Sequence, residues 1–91
     1  MIPMFNLDGR VAIVTGGNGG IGLGMAEGLA QAGAKIVVVG RNSEKNAAAV
    51  SRLEKLGVEV FSIEKDLTEA TAGAEIASAT EERFGQIDIL I

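Results

Sequence analysis

TGGNGGIG, at residues 15–22, decides the fold of this chain. It lies between an apolar, β-branched run at residues 10–15 and a stretch with helical spacing that begins near Gly20. A helix N-terminus presents unpaired N–H groups and a partial positive charge, and glycines allow a tight turn and a close approach to a phosphate. In this context the stretch predicts a phosphate-binding turn. An ordinary flexible connection between strand and helix is the alternative.

The glycines of this stretch fit three dinucleotide-binding patterns at once. The general pattern GxGxxG takes Gly17, Gly19 and Gly22. Two further patterns both begin at residue 15 and end at Gly22. TGxxxGxG takes Gly20 on the way, and TGxxGxxG takes Gly19 instead. Glycine spacing alone therefore does not choose among the three patterns.

The rest of the chain alternates strand-like and helical stretches. Short apolar runs rich in β-branched residues occupy residues 10–15, 35–39, 58–63 and 87–91. Helical stretches lie between them, at residues 20–32, at residues 43–56, and from just after Thr68 to about Phe84. The order βαβαβαβ, with near-continuous apolar strands, predicts an α/β fold of the Rossmann type, a parallel sheet with helices on both faces.

Apolar residues at helical spacing predict which face of each helix is buried. The expected buried residues are Ile21, Met25 and Leu29 in the first helix, Val50, Leu53 and Leu56 in the second, and Ala72, Ile76 and Ala79 in the third. Ser43 is the expected N-cap of the second helix. We expect the first two helices to cover one face of the sheet and the third helix to cover the other.

The composition fits one small globular domain, or part of a larger one. A hydrophobic fraction of 47% argues against disorder, and a net charge of −4 without a basic cluster argues against binding to nucleic acid or an anionic membrane surface. Because the sequence contains no Cys and no His, we expect no disulfide and no thiolate or imidazole metal site. The sequence shows no signal peptide and no membrane span, which favours a cytoplasmic protein.

The end of the second strand carries information about a cofactor. A dinucleotide fold that prefers NAD(H) usually places an acidic residue here, about 20 residues past the glycine turn, to hold ribose hydroxyls. This chain has Gly40, Arg41 and Asn42 instead. No carboxylate repels a 2′-phosphate at this place, and Arg41 could pair with one. We therefore expect NADP(H) to be favoured over NAD(H). The alternative for Arg41 is a solvated surface arginine.

Three further stretches carry a family resemblance. They are LDGRVAIVTG at residues 7–16, Asp66-Leu67 just after the third strand, and FGQIDILI at residues 84–91. Together with the glycine turn they resemble the classical short-chain dehydrogenase/reductase family over essentially the whole chain. The resemblance favours the TGxxxGxG pattern. It implies an oxidoreductase that interconverts an alcohol and a ketone or aldehyde with NAD(P)(H).

The resemblance and the glycine turn together define an expected cofactor site. Its predicted residues are Gly16, Asn18, Gly19, Gly20, Ile21, Gly22, Arg41, Asn42, Asp66 and Leu67. The family places the last two beside the adenine ring, and the alternative for Asp66 is a cap on the turn before the third helix. Lys45 is interpreted as part of a solvated helix face.

The resemblance places the catalytic residues outside this chain. The family continues its fourth strand into an Asn-Asn-Ala-Gly segment and carries a catalytic Ser, Tyr and Lys further on. The sequence ends at Ile91 and has no Tyr. We therefore expect residues 1–91 to be the N-terminal, cofactor-binding part of a Rossmann domain, with no catalytic residue of its own and no activity alone. The implied partner of the whole protein is a small alcohol or carbonyl substrate.

A sheet that stops at the fourth strand would expose an apolar edge at residues 87–91. It would also leave most of the apolar surface under the third helix without cover. We therefore expect a homo-oligomer, or association through the fourth strand.

Two other classes of function stay open. The chain could be a non-catalytic module that binds a nucleotide or serves as an interaction piece, which the lack of Tyr and His fits. A methyltransferase that binds S-adenosylmethionine also uses glycines at a helix start. That alternative gives no account of Asp66-Leu67 or of FGQIDILI.

Overall fold

The computed structural model describes residues 6–91. Seven elements follow one another in the order β1 (Val11–Thr15), α1 (Gly20–Gln31), β2 (Lys35–Gly40), α2 (Ser43–Glu54), β3 (Val60–Glu64), α3 (Ala72–Phe84) and β4 (Ile89–Leu90). The predicted order βαβαβαβ is confirmed. Within residues 6–91, no helix combines the length and the apolar character that crossing a membrane requires.

The four strands form one parallel sheet in the order β3-β2-β1-β4, which confirms the α/β fold class. β1 is an interior strand, with Ile13 opposite Val37 of β2 on one side and Leu90 of β4 on the other. Parallel neighbours cannot be joined by a tight hairpin, so each connection passes through a helix. All strands run in one direction, and the carboxyl ends of β1, β2 and β3 therefore lie along the same edge of the sheet.

Helices cover both faces of the sheet, as predicted. α1 and α2 cover one face, whose buried residues include Ala12, Val14, Ile36 and Val38 of the strands and Ala26, Ala30, Ala49 and Leu53 of the helices. α3 covers the other face, whose buried strand residues are Val11, Ile13, Val37 and Val39.

The expectation that the face under the third helix would largely lack cover holds only at β4, where Leu90 lies opposite Ile13 on that face and is 71% exposed. It is wrong for Val11, Ile13, Val37 and Val39 of β1 and β2, which are at most 2% exposed. Ala72 and Ile76 of α3 pack on them, and the rings of Phe61 and Phe84, 5.3 Å apart, extend the cover. One helix suffices because the four residues come from two adjacent strands about 4.8 Å apart, a strip no wider than a helix of about 10 Å.

The buried face of α1 differs from the predicted one. Ile21 is 85% exposed and Met25 is also exposed, whereas Ala26 and Ala30 are buried. Leu29 is partly buried, as predicted. Small side chains occupy the buried face because they let the helix axis come close to the strands. The larger side chains of Ile21 and Met25 would prevent this close approach.

The second and third helices bury part of their predicted stripes. Leu53 and Ile76 are buried, as predicted. Leu56 is exposed because α2 ends before it. In α3 the fully buried residue after Ile76 is Thr80 rather than Ala79, since a residue four positions further lies on the same face of a helix.

The N-cap of α2 is Asn42, and the prediction of Ser43 is wrong. Oδ1 of Asn42 accepts a hydrogen bond from the N–H of Lys45 at 3.0 Å. The chain leaves β2 with an extended backbone through Asn42, at φ −96° and ψ 109°, which is the conformation that a cap requires. Ser43 is already the first residue of the helix.

β4 is the last strand of the sheet within the described residues, and it is shorter than predicted. Ile89 and Leu90 lie opposite Ala12 and Ile13 of β1, and the backbone N–H groups of Asp88 and Ile91 also donate to β1. Leu90 is 71% exposed. Asp88 fixes the start of this strand: its Oδ2 accepts from the N–H of Val11 at 2.8 Å, and its Oδ1 lies 3.3 Å from Nη1 of Arg10. The apolar edge predicted at the fourth strand is therefore present at Leu90.

Candidate functional site

The carboxyl ends of β1, β2 and β3 border a cleft of about 590 Å³. Six of the ten predicted site residues line it, namely Gly16, Asn18, Arg41, Asn42, Asp66 and Leu67. They come from three segments that are far apart in the sequence and that the parallel sheet brings to one edge. The cleft lies where ligands of open α/β sheets bind, outside the carboxyl ends of the strands.

The other four predicted residues, Gly19, Gly20, Ile21 and Gly22, are not among those that line the cleft. Gly19 is the N-cap of α1, so no side chain caps this helix, and its first turn contains no acidic residue. The N–H of Leu23 donates to the carbonyl oxygen of Gly19 at 3.2 Å, and the earlier N–H groups have no acceptor within the helix. This end of α1 therefore favours an anion.

The backbone of the turn distinguishes the three glycine patterns. Gly16 and Gly20 have φ of +68° and +56°, in the left-handed region that residues with a Cβ rarely adopt. A Cβ on Gly22 would lie 2.2 Å from the carbonyl oxygen of Gly16. Gly19 has an extended φ of −179° and open space around it, so nothing requires glycine there. Among the three patterns, only TGxxxGxG has a steric reason at every one of its glycines.

A pair of amides connects the turn to β2 and α2. Nδ2 of Asn18 donates to Oδ1 of Asn46 at 3.0 Å, and Nδ2 of Asn46 donates to the carbonyl oxygen of Gly40 at 3.0 Å. Asn46 is 1% exposed and stands in the buried stripe of α2. Asn46 was not predicted as a site residue. The signal in the sequence is a polar residue in a stripe that otherwise buries Ala49 and Leu53.

Arg41 and Asp66 face each other at the ends of β2 and β3. Nη1 of Arg41 lies 3.9 Å from Oδ2 of Asp66, and the two side chains are 77% and 38% exposed. A pair this long and this exposed contributes little to stability. A ligand can therefore bind the Arg41 guanidinium in place of Asp66 with little loss of folding stability.

Asp66 also caps its own turn, which is the alternative considered from the sequence. Its Oδ1 accepts from the hydroxyl of Thr68 at 2.7 Å and from the N–H of Thr68 at 2.9 Å. These bonds, with a smaller contribution from the charge of Arg41, hold the pKa of Asp66 below its ordinary value. The carboxylate is therefore ionised at neutral pH, and its Oδ1 already accepts two hydrogen bonds from Thr68.

Two lysines that the sequence analysis did not assign to the site also line the cleft. Lys45 lies in the first turn of α2, and Lys65 follows β3. The Lys65 ammonium is paired with Glu75 of α3, whose hydrogen bond raises the pKa of Lys65. Lys45 was interpreted as part of a solvated face. It is exposed, but the turn of the chain at Asn42 places it on the cleft side of the helix start.

Comparison with known proteins identifies the family. The sequence pattern of the short chain dehydrogenase family matches residues 10–91. Gluconate 5-dehydrogenase of Gluconobacter oxydans (strain 621H) is 42% identical over 88 residues, which cover 97% of this chain and 34% of that protein. The chain therefore belongs to the short-chain dehydrogenase family, and the resemblance of its motifs to that family is confirmed.

Solved structures agree with this assignment. L-Sorbose reductase from Gluconobacter frateurii, complexed with NADPH and L-sorbose, superposes with a TM-score of 0.89 at 37% identity, over 94% of this chain and 33% of that one. NAD+-bound xylitol dehydrogenase superposes with a TM-score of 0.89 at 34% identity, over 92% of this chain and 32% of that one. The chain spans about a third of the length of the curated relatives that it matches.

Proposed function

We propose that the whole protein is an NAD(P)(H)-dependent oxidoreductase that interconverts an alcohol and a ketone or aldehyde, and that residues 1–91 supply its cofactor-binding part. One observation supports this above the others. The cleft at the strand ends adjoins a turn in which Gly16, Gly20 and Gly22 each have a steric reason to lack a side chain. Relatives of the same family carry NADPH or NAD+ in their structures.

The glycine turn and the start of α1 would hold the pyrophosphate. The N–H groups of Gly20, Ile21 and Gly22 precede the first bond within the helix, so they are the donors that an anion would meet. The absence of a Cβ at residues 16 and 20 lets the backbone of the turn keep this conformation. When bound, the nicotinamide group would supply or accept the hydride.

The residues at the end of β2 favour NADP(H). Gly40 has no carboxylate to repel a 2′-phosphate, and Arg41 offers a planar guanidinium that can form two hydrogen bonds to one. Lys45 adds a second positive charge on the same cleft. Asp66 and Leu67, at the end of β3, would lie beside the adenine ring.

We also propose that residues 1–91 have no dehydrogenase activity by themselves, because the sequence contains no Tyr for the general acid/base role that the family resemblance implies. The whole protein would act on a small alcohol or carbonyl compound in the cytoplasm. It would assemble as a homo-oligomer or associate through the edge at Leu90, which is apolar and exposed.

Calorimetric titration of the chain with NADPH and NADH, at low and at moderate salt, tests this proposal. We expect NADPH to bind more tightly than NADH. Arg41→Ala should weaken NADPH binding about tenfold to a hundredfold, the effect of one lost charge-assisted hydrogen bond, and leave NADH binding nearly unchanged. Higher salt should weaken the NADPH complex more.

Arg52→Ala is the matched control, because Arg52 is an exposed arginine of α2 that pairs with Glu27 of α1 rather than lining the cleft. It should leave both affinities unchanged. Equal losses for the two cofactors in Arg41→Ala would refute the role of Arg41. Binding of neither cofactor to the unaltered chain would refute the proposal that residues 1–91 form the site.

A further inference from the structure

We infer that Asn46 is a positioning residue for the cofactor: it holds Asn18 of the glycine turn across Gly40 and thereby occupies the place from which a carboxylate would select NAD(H). This inference rests on the proposed function, because it concerns how the same cleft is shaped. It assigns a role to a buried side chain of α2 that does not itself line the cleft.

The orientation of the Asn46 amide is fixed by its surroundings. The carbonyl oxygen of Gly40 can only accept, so Nδ2 of Asn46 must face it at 3.0 Å. Oδ1 of Asn46 is then the group that faces Asn18, whose Nδ2 donates to it at 3.0 Å. If the Asn46 amide were flipped, its Oδ1 would face the carbonyl oxygen of Gly40, and two acceptors would meet without a donor. Asn18 is therefore held in a single orientation by β2.

Burial strengthens this constraint. Asn46 is 1% exposed, so water cannot readily replace either of its partners. A buried amide that loses a partner leaves an unsatisfied polar group, which costs more than the bond itself contributes. The turn is thus attached to the sheet twice: by the Asn18–Asn46 pair, and by the N–H of Gly16, which donates to the carbonyl oxygen of Val39 at 2.9 Å.

The same pair closes the space above Gly40. A Cβ on Gly40 would lie 2.4 Å from Nδ2 of Asn18 and 2.7 Å from Oδ1 of Asn46. No real side chain tolerates such distances, so any residue larger than glycine at position 40 must displace the pair. In folds that prefer NAD(H), the carboxylate that accepts hydrogen bonds from the ribose hydroxyls belongs to the residue at this position. A residue with a Cβ at position 40 therefore requires Asn18 and Asn46 to move, which breaks the contact that holds the turn.

A first experiment tests the positioning role by measuring the affinities of the unaltered chain and four variants for NADPH and NADH. Asn46→Ala and Asn18→Ala should each weaken both cofactors to a similar extent, about fivefold, because the turn contacts the pyrophosphate that the two cofactors share. The double variant should bind no more weakly than Asn46→Ala, since both substitutions remove the same Asn18–Asn46 bond. Thr80→Ala is the control, as Thr80 is the other buried polar residue within residues 6–91 and lies on α3.

A second experiment tests the exclusion at position 40. Gly40→Asp alone should weaken NADPH and NADH alike, because the new side chain disrupts the turn. Gly40→Asp combined with Asn46→Ala should bind NADH better than Gly40→Asp does and should prefer NADH over NADPH. A single Gly40→Asp variant that already prefers NADH, with the turn undisturbed, would overturn the inference.

The side-chain amide resonances of Asn18 in the cofactor-free chain separate this inference from the proposed function. They should shift, and their hydrogen exchange should accelerate, in Asn46→Ala but not in Thr80→Ala. Unchanged Asn18 resonances in Asn46→Ala would overturn the inference even if cofactor binds. Failure of the unaltered chain to bind either cofactor, with the Asn18 resonances shifting as expected, would overturn the proposed function instead.

Discussion

A Cβ atom on Gly22 would lie 2.2 Å from the carbonyl oxygen of Gly16 and 2.7 Å from its carbonyl carbon. The obstacle is backbone, which cannot move aside as a flexible side chain could. We therefore predict that Gly22→Ala lowers the free energy of unfolding by about 2 to 3 kcal/mol, as overpacking does in other cores. Urea denaturation of the chain followed by circular dichroism measures this loss.

Gly24→Ala serves as the control for this substitution. Gly24 lies in the same helix, and a Cβ there would meet nothing within 4 Å. Alanine should raise the stability of the helix by up to about 1 kcal/mol, since it has the higher helix propensity. A loss in Gly24→Ala as large as that in Gly22→Ala would show that close approach to Gly16 is not the reason for glycine at residue 22.

Two adjacent glycines at the start of α1 give a second prediction. Gly20 has φ +56° and Gly19 has φ −179°, and both have open space around the place of a Cβ. Gly20→Ala should therefore lose about 1 to 2 kcal/mol of stability through backbone strain alone, and Gly19→Ala should lose less, because its extended backbone accepts a Cβ and only the N-cap preference opposes alanine there. Paired thermal melts of the two variants check this. If Gly19→Ala were the more damaging change, TGxxxGxG would be the wrong pattern for this turn.

The glycine turn shows what the sequence could and could not supply. Its position between a strand and a helix is readable because apolar periodicity changes from two to about 3.6 residues there. The choice among three overlapping patterns is not readable from spacing, since every pattern finds its glycines. It depends on the φ angle of Gly20 and on the distance between Gly22 and Gly16, which exist only once α1 packs on the sheet.

A third prediction concerns acid stability and Asp88. Its carboxylate accepts hydrogen bonds from the N–H of Val11 and from Nε2 of Gln86, and it pairs with Arg10. These contacts, the bond from Val11 first among them, hold the pKa of Asp88 below the 3.8 that is ordinary for an aspartate. In the unfolded chain the contacts are absent, so folding favours the ionised form.

The contribution of Asp88 is fully present above about pH 4 and is lost as pH falls through the lower pKa of the folded state. Asp88→Asn should therefore be less stable than the unaltered chain at pH 7, and the difference should shrink steadily toward pH 2.5. Free energies of unfolding from urea titrations at five pH values measure it. Glu54→Gln, at the exposed end of α2, should show no such narrowing. A difference that stays constant with pH would contradict the role of Asp88.

A fourth prediction follows from the exposed side chain of Leu90. An open strand edge with apolar side chains tends to pair with another chain. The chain should therefore self-associate as its concentration rises, and Leu90→Lys should shift this association to higher concentration because a charge opposes burial at the edge. Sedimentation velocity over a hundredfold range of concentration measures it. Leu56→Lys removes an exposed leucine away from the sheet edge and should leave the association unchanged, whereas equal effects of the two substitutions would exclude the edge as its cause.

The positions of the helices could be predicted from the sequence, but the buried face of α1 could not. Helical spacing located all three, and it found Leu53 and Ile76 correctly because each lies on the helix face that packs against the sheet. It failed for α1, where the glycine turn brings the helix too close to the sheet for Ile21 and Met25, and Ala26 and Ala30 are buried instead. Residue size, not hydrophobicity, decides the face there.

The polar residues of the cleft were partly readable. Arg41 and Asp66 follow directly after strands, and the sheet topology alone is enough to bring strand ends together. Asn46 was missed because its importance comes from a bond to Asn18, 28 residues away, and from the lack of a side chain at Gly40. No pattern along the sequence shows that Asn18, Gly40 and Asn46 meet in the folded chain.

The central place of β1 bears on how the chain folds over time. Of the four described strands, β1 leaves the ribosome first, yet one of its edges stays unpaired until β4 arrives, and the bond from Val11 to Asp88 joins residues 77 positions apart. No local hairpin can form early in a sheet made only of parallel pairs. Folding should therefore be slow for the size of the chain. The newly made β1 would spend that interval as the surface most prone to mispairing, and the one that a chaperone would have most reason to shield.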